Sequence, residues 1–322
     1  MSTYQTTILF HGNCIDGWFS AYFAYHALRK NGDIQLFPIA PSQPNTWPSS
    51  ETMKGTDVWL LDVSVPESAR KEWLEGGARS VSCIDHHATA IEQWPVHACP
   101  IHTDCCAALQ THQHFYPDTP IPEWLHSIDR IDRWVNVTYE DRCLREFLYV
   151  IARKPVQRQM VTAFQQTDQF IWNMANFDSQ TYDWYLSEGQ KILTEKDASL
   201  KMILKEKGTF LTITDELQAK WNLPETWNGI RAFIMDNSDV AIDTTEASHL
   251  IFTENTDVHV FINYRKKLFY TKGAQRVMKS MTVYSARSNA LDLTVGTVLR
   301  GHPSSAGASL VQGEASHFPF LL

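Results

Sequence analysis

Three short apolar runs near the N-terminus each end in an acid or an imidazole, and helical patterns separate them. Thr6 to Phe10 leads into His11-Gly12-Asn13-Cys14-Ile15-Asp16-Gly17, Asp57 to Leu61 ends in Asp62, and Val81 to Ile84 ends in Asp85-His86-His87. Runs of this length and β-branching read as buried strands rather than helices. Strands that alternate with helices describe a mostly parallel sheet, and polar groups at the carboxyl ends of such strands sit where open α/β sheets bind ligands. Side chains alternate faces along a strand, so His86 and His87 share one site only if the chain turns there. Read alone, Asp85-His86-His87 is as well explained by a surface turn. Three acid-bearing strand ends in series are not.

The intervening segments supply the helices. Trp18 to Lys30 has an amphipathic pattern closed by Asn31-Gly32, and Asp16-Gly17 stands where a helix cap would. Ile34 to Ile39 is a further strand, Pro41 to Ser50 a loop, and Glu67 to Glu75 a helix closed by Gly76-Gly77. Ala107 to Phe115 reads as a helix with Asp104 as a candidate cap, and Pro122 suits the first turn of the next. That helix carries Asp129 and Asp132, three apart, so one face presents both in the apolar setting of Ile128, Ile131 and Trp134. Residues 142 to 175 read as helical.

Ser179 to Lys207 is a long helical pattern interrupted only by Gly189, after which the texture changes to short strands. These are Thr209 to Thr214, Gly229 to Met235, Val258 to Tyr264, Leu268 to Thr271 and Met281 to Ala286. A short helix around Leu291 to Leu299 precedes Arg300-Gly301-His302-Pro303-Ser304-Ser305-Ala306-Gly307, small residues that let a backbone approach a phosphate closely. The expected organisation is α/β: a parallel-sheet domain over residues 1–178, a connector helix over 179–207 and a smaller α/β domain over 208–322.

A net charge of −8 argues against a protein that holds long duplex nucleic acid by bulk electrostatics, though a local groove for a short anionic substrate is compatible with it. Six cysteines form no CxxC pair and no secreted disulfide framework, so neither a zinc knuckle nor an extracellular scaffold is indicated. No signal-peptide pattern or membrane-length apolar run is present, and the expected location is cytoplasmic. Carboxylates and imidazoles without a set of thiolates suit Mn²⁺ or Mg²⁺ rather than structural zinc, and the imidazoles favour Mn²⁺. Two such ions about 3.5–4 Å apart can acidify a water and clamp a phosphoryl group, with Asp62 as the natural bridge.

Taken in order, His11…Asp16-Gly17, Leu61-Asp62-Val63-Ser64, Asp85-His86-His87-Ala88-Thr89-Ala90, Asp129…Asp132-Arg133-Trp134 and Gly301-His302…Ala306-Gly307 resemble the motifs of the DHH phosphoesterase superfamily. The resemblance is specifically to members with a C-terminal DHHA1 domain, such as nano-RNase-like and phosphoadenosine-phosphatase-like phosphohydrolases. It covers nearly the whole chain. It implies hydrolysis of phosphodiester or phosphomonoester bonds in nucleotides or short oligonucleotides, with two Mn²⁺ ions (or Mg²⁺) activating water. A polyphosphate or small phosphoanhydride hydrolase is the alternative within enzymes, and a non-catalytic nucleotide-binding regulator is the alternative outside them. The oligomeric state stays open between monomer and homodimer.

By the same resemblance His11, Asp16, Asp62 and His86 are metal ligands, His87 faces the substrate phosphate, and Asp85 orients His86 or its loop. The fourth motif gives Asp129 or Asp132, and the distance to Trp134 favours Asp129. Arg287, Ser288, Arg300, Gly301 and His302 fall at substrate-contact positions. Two departures stand out: Asn13 occupies a position where the family commonly has an acid, and Arg300 precedes Gly301 where more glycines are usual.

Overall fold

A computed structural model describes residues 6–12, 14–40, 47–87, 90, 94, 102–152, 179–221, 225–240, 242–271, 274–285, 300–302 and 305–311. Asn13, Arg287, Ser288, the expected helix at 291–299 and the expected helical stretch beyond residue 152 lie outside these. The chain divides into two compact units, Met1–Leu193 and Thr194–Leu322.

The first unit is built on a four-stranded sheet of β1 (Thr6–His11), β2 (Ile34–Ile39), β3 (Asp57–Leu61) and β4 (Ser80–Ile84). The order is β2-β1-β3-β4 and every pairing is parallel. From β1 the chain goes first to β2 on one side, then to β3 on the other. The β1/β3 boundary is therefore the point where the order reverses, and such a point opens a crevice at the strands' carboxyl ends.

Side-chain alternation explains why these strands read as continuous apolar runs: both faces are covered. Ile8 and Phe10 point into a core with Trp18, Phe19 and Tyr22 of α1 (Ile15–Leu28), which also takes Leu109 of α4 (Ala107–Phe115) and Leu125 and Ile128 of α5 (Glu123–Arg133). Leu9, Val58, Leu60, Val81 and Cys83 face the opposite core, against Met53 of α2 (Ser50–Met53) and Trp73 of α3 (Glu67–Glu75). Each large apolar side chain fully buried this way is worth about 1.5–3 kcal/mol. Helix α6 (Tyr139–Ala152) adds Leu144 and Leu148 to the first core. Gly189, the lone glycine of helix α7 (Ser179–Lys207), has a packing reason, because a Cβ there would meet the Cys143 carbonyl oxygen at 1.8 Å.

The second unit holds a six-stranded sheet in the order β5-β6-β7-β8-β10-β9. Its strands are β5 (Gly208–Thr212), β6 (Arg231–Asp236), β7 (Val260–Thr271), β8 (Ala274–Ser285), β9 (Arg300–His302) and β10 (Ser305–Val311). Only β6 and β7 pair in parallel; the other pairings are antiparallel. Parallel neighbours need a crossover. Here it is α9 (Thr244–Glu254), capped by Asp243, whose carboxylate accepts from Thr245 N and Glu246 N.

Several expectations change: β8 starts at Ala274 rather than Met281, and Arg300–His302 and Ser305–Val311 are paired strands where a loop was expected. The strands expected at 258–264 and 268–271 are one strand: Arg265-Lys266-Lys267 reads as a break in sequence, but β7 pairs with β8 along its whole length, charged positions included. Helices α8 (Asp215–Trp221) and α9 stand where the sequence pattern suggests no element.

Candidate metal centre

The carboxyl ends of β1, β3 and β4 bring four of the expected residues together at the crevice. His11 closes β1, and its Nδ1 lies 3.2 Å from Asp62 Oδ2 across the β1/β3 boundary. Asp62 follows β3 in a left-handed conformation, φ 57°, which costs a non-glycine residue roughly 1–2 kcal/mol. Its backbone N–H is held by the Ile84 carbonyl at 2.9 Å, tying the turn to the end of β4. After β4 the chain leaves regular structure, and His86 and His87 both reach the site, with ring centroids 4.6 Å apart. That is the turn the strand pattern required.

Asp16 sits in the first turn of α1 rather than capping it; the N-cap is Cys14, and no side chain caps that end. Gly17 makes the placement workable, since a Cβ there would lie 2.3 Å from the His11 carbonyl oxygen. The Asp16 carboxylate instead accepts from Ala107 N at 2.9 Å and Ala108 N at 2.6 Å, and so caps α4. Asp104, the expected cap of α4, is not its N-cap residue; Cys106 is.

The two acids of α5 separate sharply. Asp132 Oδ2 lies 3.1 Å from His86 Nε2. Asp129, which spacing to Trp134 favoured, turns elsewhere: it accepts from Cys106 N at 2.6 Å and forms a fork with Arg133, at 2.9 Å to Nε and 2.6 Å to Nη2. Its oxygens are thus spent on the α4 entry and on a guanidinium. Asp85 Oδ1 accepts from His86 N and His87 N and stands 2.6 Å from His87 Nδ1, which fixes the His87 ring.

His86 Nε2 faces three carboxylates at once, Asp132 at 3.1 Å, Asp62 at 3.4 Å and Asp16 at 3.6 Å. One ring nitrogen carries at most one hydrogen, so three acceptors are not satisfied by it even when it is protonated. Asp62 Oδ1 and Asp132 Oδ2 are buried and have no hydrogen-bond partner among the described residues. Buried carboxylate oxygens of this kind call for a cation. Burial opposes charge on His86, but the nearby carboxylates of Asp62, Asp132 and Asp16 outweigh it and hold its pKa at about 10. Burial, then the charges of Asp62 and Asp132, push Asp16 well above the usual carboxylate range. Burial pulls Asp62 the same way, yet the hydrogen bond with His11 and the facing imidazoles of His86 and His87 leave it well below that range. On His11 and His87 burial is likewise outweighed, by Asp62 and by Asp85 respectively, and both imidazoles titrate above their ordinary value.

The donors fit one or two divalent cations. Donor atoms of Asp16, His86 and Asp132 lie within 4.8 Å of one another, as do those of Asp62, Asp85, His86 and His87, and those of His11, Cys14 and Asp62. Cys14 is the residue that sequence reasoning missed. Its position between His11 and Asp16 was the available signal. Burial, followed by the charges of Asp62 and Asp132, raises its thiol well above the ordinary value. Arg300, Gly301 and His302 form β9 of the second unit, and Arg287 and Ser288 lie outside the described residues.

No known protein-family profile matches the sequence, and no curated protein matches it. Solved structures do. A pGpG-specific phosphodiesterase, PggH from Vibrio cholerae, superposes with a TM-score of 0.50 at 11% identity, over 97% of this chain and 95% of that one. The DHH domain of PF0399, described as belonging to a family of ribosomal proteins, gives the same TM-score at 12% identity, over 97% and 84%. The chain has the DHH-type α/β fold.

Proposed function

We propose that this chain is a metal-dependent phosphoesterase of the DHH superfamily that hydrolyses nucleotides or short oligonucleotides. The observation that carries the reading is His86 Nε2 set among Asp16, Asp62 and Asp132 at 3.1–3.6 Å, at the sheet's reversal point, with buried carboxylate oxygens left without a donor. Asp16, Asp62, His86 and Asp132 would hold one or two Mn²⁺ or Mg²⁺ ions together with His11, with Asp62 common to both positions. Bound there, the ions supply Lewis acidity at phosphoryl oxygens and a water acidified for attack.

The chain's own groups divide the remaining work. His11 and His87 are the imidazoles open to a ligand, with side chains 32% and 30% exposed. His87 would hold or move a proton at the phosphate, a role supported by the Asp85 contact that fixes its ring. Asp129 keeps the entry of α4 and Arg133 in place rather than binding the ion. The resemblance alone assigns substrate contacts to Arg287, Ser288, Arg300, Gly301 and His302. The phosphodiesterase activity named for PggH supports a short nucleotide substrate for this chain.

The test is hydrolysis by the metal-stripped chain, with and without added Mn²⁺, of linear dinucleotides, cyclic dinucleotides, 3′-phosphoadenosine phosphate and polyphosphate. Mn²⁺-dependent turnover of a nucleotide substrate, reversed by chelator, is expected. Preference for polyphosphate over every nucleotide, or turnover indifferent to chelator, would overturn it.

A further inference from the structure

The expected chemistry of this centre had no thiolate in it, yet Cys14 lies inside it. It is the N-cap of α1, in an extended conformation with φ −116° and ψ 138°, at the crevice end of β1. Its Sγ is a donor in the His11–Cys14–Asp62 group and lies 3.8 Å from Asp132 Oδ1. Cys14 is a free cysteine. A second observation points to a cation in this centre independently of the thiol: Asp62, a member of the same donor group, is 1% exposed, and its Oδ1, 3.4 Å from His86 Nε2, has no hydrogen-bond partner among the described residues.

Two donors on one cation are separated by at most the sum of their bonds, about 4.3–4.5 Å for sulfur at 2.3 Å and nitrogen or oxygen at 2.0–2.2 Å. Only donors on opposite sides of the ion reach that limit; at the tetrahedral angle the same bonds set donors about 3.3–3.6 Å apart, so atoms already within 4.8 Å of one another need to close by about 1.5 Å at most. The two three-donor groups then differ in kind. Asp16, His86 and Asp132 offer two carboxylates and an imidazole, the donors that Mn²⁺ and Mg²⁺ accept, whereas His11, Cys14 and Asp62 offer nitrogen, sulfur and oxygen, a set that favours softer ions.

Resting on the metal-centre reading above, we propose that Cys14 is a metal ligand and that the centre has two unlike positions. The His11–Cys14–Asp62 position prefers a thiophilic divalent ion such as Zn²⁺, Co²⁺ or Fe²⁺ over the Mn²⁺ it takes when that ion alone is in excess, and the Asp16–His86–Asp132 position, which Asp62 also borders through Oδ1 at 3.4 Å from His86 Nε2, keeps Mn²⁺ or Mg²⁺. Loading the first position forms a sulfur–metal bond and breaks the S–H bond, with the proton released to solvent and no change of oxidation state.

The test is optical titration of the metal-stripped full chain with Co²⁺. A thiolate-to-cobalt charge-transfer band in the near ultraviolet is expected. It should vanish in Cys14→Ser and in Cys14→Ala but survive in Cys105→Ser, while the weaker visible cobalt bands of the other position persist in all three. By calorimetry Cys14→Ser should lower Zn²⁺ affinity by at least the roughly 10–100-fold that changes around metal ligands cost, with Mn²⁺ affinity at the second position nearly unchanged. Visible bands without a charge-transfer band, or a band indifferent to Cys14, would overturn the thiolate ligand and leave the metal centre standing. No cobalt spectrum of any kind would take the metal-centre reading down with it.

Discussion

Asp16, Asp62 and His86 lie at 0–2% exposure on the floor of the site, while the His11 and His87 side chains at its rim are about a third exposed. Both regions are made of carboxylates and imidazoles, and each imidazole has a carboxylate within 3.2 Å. The floor differs in what a proton can do for it: three carboxylates share one imidazole nitrogen, so protonation alone does not satisfy them. At the rim His87 has a carboxylate of its own in Asp85, His11 shares Asp62 with the floor, and both imidazoles keep an open face. Burial with too few donors makes a place for a cation. A partnered, half-open imidazole makes a place for chemistry on something that arrives from solvent.

That contrast predicts where substitutions hurt most. Asp62→Ala removes the carboxylate that the floor and His11 share, so turnover should fall to background while circular dichroism shows the fold intact. Retained turnover would show that the floor and rim do not act through Asp62. His87→Ala should lower kcat by about 10²–10⁴ with little change in KM, the usual cost of losing a general acid–base group. A rise in KM at constant kcat would make His87 a binding group instead.

The α5 acids sharpen the boundary of the floor. Asp132→Asn should weaken Mn²⁺ binding by more than about 100-fold, and Asp129→Asn by no more than the roughly 10–100-fold typical of groups that only support ligands. Equal losses at both positions would erase the distinction drawn from the Asp129–Arg133 fork. The smallest effect concerns pH. In the metal-free chain His86 is raised from 6.5 to about 10, so its contribution to stability is complete below pH 6.5 and is lost as pH climbs through about 10. The raised Asp16 and Asp132 act in the same direction. Thermal melts should therefore show the metal-free chain losing several degrees of Tm between pH 6.5 and 10, at about 2–4 °C per kcal/mol. A flat profile would place the floor carboxylates in water.

The parallel sheet and its polar edge could be read from sequence because each strand declares itself twice, as an apolar run and as a polar terminus. The finer assignments could not. Asp129 and Asp132 share a helix face by period, and what separates them is the Cys106 N–H, a partner on another helix. Asp16 reads locally as a cap for the helix it stands in, but it caps α4 through bonds to residues 91 and 92 positions away. Cys14 has a sequence signal only in standing between His11 and Asp16, and the convergence of β1, β3 and α5 is what shows its sulfur among donors. In the second unit the charged Arg265-Lys266-Lys267 hid the continuity of β7, because pairing with β8 fixes that strand more firmly than its side-chain pattern does.

The central claim is that the floor is a cation site with Asp62 shared between two positions. Electron paramagnetic resonance of the metal-stripped chain titrated with Mn²⁺ tests it most directly. The free-ion spectrum should be suppressed as Mn²⁺ binds, a spin-coupled pair should appear on full loading, and the coupled signal should be absent from Asp62→Ala. A full-strength free-ion spectrum at every ratio of Mn²⁺ to protein would contradict it.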